Sequence, residues 1–180
     1  MGIQRVGVIG CGLMGSGIAE VCARAGLDVM VREVDAAAAE AGRQRLVTSL
    51  DRGVTAGKLT ETERDEALAR LSFTTAIDDL ADRQMVVEAV VEDEAMKVDI
   101  FRELDRVLVD DSAILASNTS SIPIMKLGTV TARPEQVIGV HFFNPVPVLR
   151  LVEIVTSLMT GPETTARAEA PVVSRVEAAR

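Results

Sequence analysis

The chain has 180 residues, 48% of them apolar and 26% charged, which is enough for one domain with a buried core and argues against global disorder. The net charge is −8, from 19 basic and 27 acidic residues, and Tyr and Trp are absent beside four Phe. That argues against a general phosphate-backbone binder and leaves no stacking platform for single-stranded nucleic acid.

No apolar run approaches the ~18–20 residues of a membrane span. The N-terminus, MGIQRVGVIG, lacks the basic start, apolar stretch and cleavage site of a signal peptide, so the expected compartment is the cytoplasm. Cys11 and Cys22 match no metal-ligand spacing and read as free thiols. There is no P-loop, no metal-binding cluster and no Ser-His-Asp order.

Ile3 to Ile9 reads as a buried strand closed by Gly10. Leu13 to Ala25 has helical spacing at Ile18, Val21 and Cys22, with Gly26 as a C-terminal cap. Leu27 to Arg32 is a second strand, which completes a βαβ unit. Ala36 to Leu50 is a helix by composition, and Gly53 and Gly57 are expected to break the chain. Thr60-Glu61-Thr62-Glu63 carries a capping-box start for a helix ending near Arg70. The two helices form an αα-hairpin inserted at about 36–70, before a third strand, Leu71 to Thr75.

Met85 to Val91 is a fourth strand. Asp93 to Val109 is a helix that presents Met96, Ile100, Phe101 and Leu104 on one face. Ala113 to Ala116 is the fifth strand and Val137 to Phe143 the sixth. Val148 to Val155 is a seventh, antiparallel to the sixth because only a short connection separates them. Gly161-Pro162 opens a last helix that Pro171 should end or kink. Alternating strands and helices predict a Rossmann-type α/β fold: a doubly wound, mostly parallel sheet with the inserted hairpin. Residues 1–160 read as the nucleotide-binding domain, and 161–180 as a terminal helix and tail.

Gly10-Cys11-Gly12-Leu13-Met14-Gly15 fits G-x-G-x-x-G and stands where that motif has meaning, between a strand and a helix. Gly10 allows the tight turn, Gly12 the approach of a pyrophosphate, and Gly15 close packing of helix on strand; without a ligand the motif is only a glycine-rich turn. Glu33 ends the second strand roughly twenty residues on, where a carboxylate suits ribose hydroxyls and repels the extra phosphate of NADP. An Arg at position 32 could accept that phosphate. Strand alternation, however, points Arg32 away from the Glu33 face, which favours NAD.

His141 is the single histidine. A lone His on an apolar strand is usually a core residue, but this one lies at the C-terminal edge of the sheet, where such folds bind ligands. Glu153 on the following strand can reach it, and a His–carboxylate pair orients a general base. Ser117-Asn118-Thr119-Ser120-Ser121, after the fifth strand, either lines a site or caps a helix before Ile122.

Taken together, GCGLMGSGIAEVCARAG, VVEAVVED with its downstream Lys, SNTSS and HFFNPVPVLRLVEIV resemble the bacterial NAD-dependent 3-hydroxyacyl-CoA dehydrogenases, in particular the 3-hydroxybutyryl-CoA dehydrogenase subgroup. The resemblance covers roughly residues 1–170. It implies hydride transfer between NAD and C3 of a short-chain 3-hydroxyacyl-CoA, in fatty-acid metabolism. It implies His141 as catalytic base, Glu153 as its orienting partner, Ser120 at the substrate oxygen and Asn144 at the nicotinamide ribose or reacting group. It implies Gly10, Gly12, Leu13, Met14, Gly15, Glu33, Glu92, Lys97, Asn118, Ser120 and Asn144 as cofactor contacts, and places the hairpin around Arg52 to Lys58 near the CoA.

Family members continue into an all-helical domain that makes most of a dimer interface, and Pro171 to Arg180 does not resemble that continuation. The resemblance therefore also allows a truncated, inert dinucleotide-binding module. A third reading, a dehydrogenase of small β-hydroxy acids, calls for a catalytic Lys on a later helix. Only Lys126 offers itself, and its placement does not match.

Overall fold

The computed structural model describes residues 2–149 and 151–169. Its strands are β1 (Arg5–Ile9), β2 (Asp28–Arg32), β3 (Leu71–Thr74), β4 (Met85–Glu88), β5 (Ile114–Ser117), β6 (Val137–Phe142) and β7 (Val152–Val155). They form one sheet in the order β3-β2-β1-β4-β5-β6-β7. All pairs are parallel except β6 with β7. The helices are α1 (Leu13–Arg24), α2 (Ala36–Thr55), α3 (Glu61–Ala69), α4 (Glu94–Val107), α5 (Ile124–Gly128) and α6 (Pro162–Ala168). This is the doubly wound α/β fold, with α2 and α3 as the inserted hairpin.

Alternation along each strand divides the apolar side chains between two layers. Val6, Val8, Val29, Val31, Val87 and Ala116 pack on Ile18 and Val21 of α1 and on Leu46 and Leu50 of α2. Ile9, Val86, Leu115 and Val137 pack on Phe101 and Leu104 of α4 and Leu127 of α5. A strand covered on both faces needs apolar residues at successive positions, which is why β1 and β4 read as unbroken runs. Each fully buried Leu, Ile or Phe contributes about 1.5–3 kcal/mol by leaving water. After β3 at one edge the chain returns to lay β4 beside β1. The strand order therefore reverses between these two, and a crevice opens at their C-terminal ends.

Several expected boundaries move. β4 stops at Glu88, short of Val91; Ala89 N donates to Ile9 O at 2.8 Å, and beyond it the Val90 N–H turns to the Glu88 side chain at 2.7 Å. β5 is displaced by one residue, so Ser117 lies inside the sheet. β7 begins at Val152 and not at Val148, because the Val148 and Leu149 N–H groups both donate to Pro145 O at 3.0 Å and close a turn. α2 runs through Gly53 to Thr55, and the break comes at Gly57, whose φ of +67° suits glycine. In α4 the buried stripe is Lys97, Ile100, Phe101 and Leu104, whereas Met96 is half exposed. The Thr60–Glu63 capping box is complete. The expected break at Pro171 and the tail to Arg180 lie outside the described residues.

Candidate active site

The glycine loop joins β1 to α1. Gly10 has φ +87°, and a Cβ there would meet the Ala89 carbonyl oxygen at 2.9 Å. At Gly15, in the first turn of α1, a Cβ would fall 1.8 Å from the Gly10 oxygen. Gly12 caps α1 with no side-chain hydrogen bond and has open space where its Cβ would be. The first N–H groups of α1 therefore face a surface that an anion can approach closely. Glu33 braces the loop from the end of β2, accepting from Cys11 N–H and, at 3.0 Å, from Val34 N–H. Arg45 of α2 braces it from the other side, donating to the Cys11 carbonyl at 2.7 Å. Arg32 shares the strand face of Met30, toward the α4 layer, and its buried Nε has no hydrogen-bond partner among the described residues.

Burial pushes the Cys11 thiol up to about 12; the Glu33 carboxylate adds to this and Arg45 opposes it. The thiolate forms only above that value, so the thiol is neutral and unreactive near pH 8. Cys22 is buried as well. Iodoacetamide at pH 8, read by intact mass, should leave the native chain unmodified and add two labels in urea. Rapid labelling of native Cys11 would show that the loop opens far more than its bracing suggests.

His141 and Glu153 stand directly opposite across the β6–β7 pair, with Nδ1 of the imidazole 3.0 Å from Oε2 of the carboxylate. An ionised carboxylate accepts at Nδ1, which places the proton there and leaves Nε2 as the free base. The imidazole faces a cavity of about 400 Å³ at the C-terminal edge of the sheet, and Met14, Glu92, Lys97, Asn118, Ser120 and Asn144 share that cavity. Asn118 Oδ1 accepts from Phe142 N–H at 2.8 Å, which ties the end of β5 to the strand bearing His141. The Asn144-Pro145 peptide that follows β6 is cis.

Beneath the cavity lies a charged cluster. Lys97 Nζ is 2.8 and 2.9 Å from the Glu88 oxygens and 3.0 Å from Glu92. Ser117 Oγ donates to Glu88 at 2.6 Å. Thr119 Oγ1 and Ser121 Oγ donate to Glu92, the latter at 2.9 Å. Partial burial raises the Glu92 carboxyl, but these hydroxyls and the Lys97 ammonium outweigh it and hold the group at about 2. Thr119 Oγ1 also accepts from Ile122 N–H at 2.9 Å, while α5 starts only at Ile124 with no side-chain cap. The polar segment after β5 therefore forms a turn whose Asn118 and Ser120 line the cavity, not a helix cap.

A second cavity, about 470 Å³, opens between α1, α2 and the Asn144–Pro147 segment, with Leu13, Glu20, Arg45, Ser49 and Arg52 on its walls. It adjoins a groove lined by Arg52, Lys58, Leu59 and Pro147. The hairpin thus brings Arg45 and Arg52 to the cavity that Asn144 also lines, and Arg52 and Lys58 to the adjoining groove. Burial raises the Glu20 carboxyl, against a hydrogen bond from Ser49 and the charge of Arg24. Lys126 lies away from all of this, paired with Glu94 at 2.8 Å on the surface. Sequence reasoning missed Glu88, Arg45 and Glu20. The signal for Glu88 was a carboxylate inside the apolar run Met85–Val91, which only a partner could justify.

The model of one protein family, described as 3-hydroxyacyl-CoA dehydrogenase, NAD binding domain, matches residues 5–175. The chain belongs to this family. It is an NAD-dependent oxidoreductase family, and NAD is its cofactor. A 3-hydroxybutyryl-CoA dehydrogenase of Mycobacterium tuberculosis (strain CDC 1551 / Oshkosh) is 63% identical over 167 residues, covering 93% of this chain and 58% of the relative. One from Bradyrhizobium diazoefficiens is 45% identical, covering 90% and 55%. The crystal structure of M. tuberculosis FadB2 superposes with a TM-score of 0.96 at 60% identity, over 98% of this chain and 62% of that one. That of (S)-3-hydroxybutyryl-CoA dehydrogenase PaaH1 from Ralstonia eutropha gives 0.94 at 43%, over 97% and 61%. The chain spans somewhat under three fifths of the length of the curated relatives it matches. Among the described residues no helix is long and apolar enough to cross a membrane.

Proposed function

We propose that this chain carries the NAD site and the proton-transfer pair of a 3-hydroxyacyl-CoA dehydrogenase acting on short acyl chains, 3-hydroxybutyryl-CoA and acetoacetyl-CoA. The observation that carries the reading is the His141–Glu153 pair, 3.0 Å apart, in a cavity that also receives Met14 of the glycine loop. Residues 1–160 form the nucleotide-binding unit. The open approach at Gly12, the uncapped start of α1 and the carboxylate at the end of β2 fit a dinucleotide. Gly10, Gly12, Leu13, Met14 and Gly15 hold its pyrophosphate, Glu33 its adenosine ribose, and Glu92, Lys97, Asn118 and Asn144 the nicotinamide end. When bound, NAD supplies the hydride acceptor at C3 of the substrate.

The chain's own residues handle the proton. In oxidation, Nε2 of His141 takes the proton of the 3-hydroxyl as the C3–H bond breaks, and the C3–O bond becomes a carbonyl. In reduction it returns that proton to the carbonyl oxygen. Glu153 holds the ring in the correct tautomer and offsets the positive charge that forms. Ser120 and Asn144 donate hydrogen bonds to the substrate oxygen and fix C3. Arg52 and Lys58 supply positive charge for the CoA phosphates along the hairpin groove. NADH-dependent reduction of acetoacetyl-CoA tests the reading, in a fusion of residues 1–169 to the part of the M. tuberculosis relative beyond the matched region. No turnover by a folded fusion that binds NADH would overturn it.

Glu33→Ala gives a separate check on cofactor choice. It removes an acceptor for ribose hydroxyls, a repulsion against a 2′-phosphate and a brace on Cys11. NADH affinity should fall about tenfold, the worth of one charged hydrogen bond, while NADPH affinity falls less. Nicotinamide fluorescence titrations with both cofactors measure this. Equal NADH and NADPH affinity in the unsubstituted chain would remove the role given to Glu33.

A further inference from the structure

Glu88 is wholly buried at the end of β4, and Lys97 is 1% exposed. All the acceptor capacity of this carboxylate is used: Lys97 Nζ reaches both oxygens, Ser117 Oγ one, and Val90 N–H the other. Glu92 holds the same ammonium from outside, with its side chain 40% exposed and two hydroxyls from the turn after β5 on it. One cation thus sits between an inner carboxylate that no ligand can reach and an outer one at the cavity wall. A buried ion pair is a poor stabiliser, since desolvation consumes most of its attraction. Its cost makes sense where the charge is used, and this ammonium lines the cavity at the point where the strand order reverses.

A ligand hydroxyl entering the cavity finds Glu92 as an acceptor and competes with Lys97 for it. We propose that Glu88 is a positioning residue for ligand binding: acting through Lys97, it keeps the ammonium charged and aimed at the crevice while Glu92 turns to the ligand. This rests on the reading of the cavity as the nicotinamide end of the NAD site. The titratable groups around Lys97 are Glu88 of β4, Glu92 of the following loop and, across the cavity, His141 of β6 backed by Glu153 of β7. Ser117 and Thr119, from the β5 side, do not titrate. Without Glu88 a desolvated ammonium with only Glu92 beside it gives up its proton more readily.

NADH affinity of the 180-residue chain, followed by nicotinamide fluorescence from pH 6.5 to 9.5, tests this in four proteins: unsubstituted, Glu88→Gln, Lys97→Gln and the double variant, each checked for folding by circular dichroism. Glu88→Gln should bind about tenfold more weakly, with the loss growing as pH rises. Lys97→Gln should be weak across the range, and the double variant no weaker than Lys97→Gln. A Glu88→Gln affinity within about twofold of the unsubstituted chain, a loss that does not change with pH, or a double variant weaker than Lys97→Gln each overturns the proposal. Unchanged affinity in Lys97→Gln overturns the reading of the cavity and the proposal together. A weak Lys97→Gln beside an unaffected Glu88→Gln overturns the proposal alone. Should Glu88→Gln not fold, Glu88→Asp keeps the charge but shortens the reach; weaker, pH-independent binding supports the proposal, and unsubstituted affinity overturns it.

Discussion

Replacing His141 by Gln should lower NADH-dependent reduction of acetoacetyl-CoA by about 10²–10⁴, the usual worth of a positioned acid–base group. Gln cannot exchange a proton with the substrate oxygen, yet its size is close to that of imidazole. The β6–β7 pairing is held by backbone bonds, so the sheet should keep its form. The base does not contact the glycine loop, so NADH affinity should stay within about twofold of the unsubstituted value. Glu153→Gln should cost less. Its amide oxygen can still accept from Nδ1, but the negative charge that offsets the imidazolium is gone, so the alkaline limb of the pH–rate profile for reduction, which needs the protonated imidazole, should move to lower pH. Both measurements belong in the fusion described above, with NADH held saturating. Unsubstituted turnover in the His141 variant would make this histidine a core residue with a carboxylate neighbour and nothing more.

Gly15→Ala should damage both the fold and the cofactor site. The added methyl carbon would stand 1.8 Å from the Gly10 carbonyl oxygen, well inside contact distance, and neither partner is the free end of a flexible side chain. Either α1 moves away from β1 or the Gly10–Gly12 turn is pushed outward. Overpacking of this kind costs about 1–3 kcal/mol or more, which in a domain of this size lowers the melting temperature by roughly 5–10 °C. The turn braced by Glu33 and Arg45 is the part displaced, so NADH affinity should fall by more than about tenfold. Thermal melts and fluorescence titrations of the same preparation separate the two effects. A variant with unchanged melting and unchanged affinity would mean that the helix sits farther from the strand than 1.8 Å implies, and that close packing at this glycine is not needed.

The fold class followed from periodicity. Apolar runs at β1 and β4 and helical spacing in α1 mark elements that are buried on two faces or on one, and that signal is local. The glycine loop and Glu33 were legible for the same reason, since a turn, a helix start and a strand end all lie within one βαβ unit. His141 and Glu153 were legible because a short connection constrains two strands to pair.

What the linear pattern could not decide was set by contacts between segments far apart in the chain. At the end of β4, Ser117, 29 positions on, and Lys97 of α4 claim the carboxylate of Glu88. A one-residue change in where a strand stops moves a side chain from ladder to cavity. α2 passes through Gly53 because a Cβ at that position would meet Leu59 at 2.8 Å, so the missing side chain lets the end of the hairpin pack tightly. Met96 gives way to Lys97 in the buried stripe of α4 because a charge with two carboxylate partners can be enclosed, and hydropathy counts only the residue, not its partners. Sequence alone determined the layers of the sheet and the residues at its C-terminal edge. Tertiary structure decided which charges meet beneath that edge, because pairing a buried ion depends on neighbours that are close in space and remote in the chain.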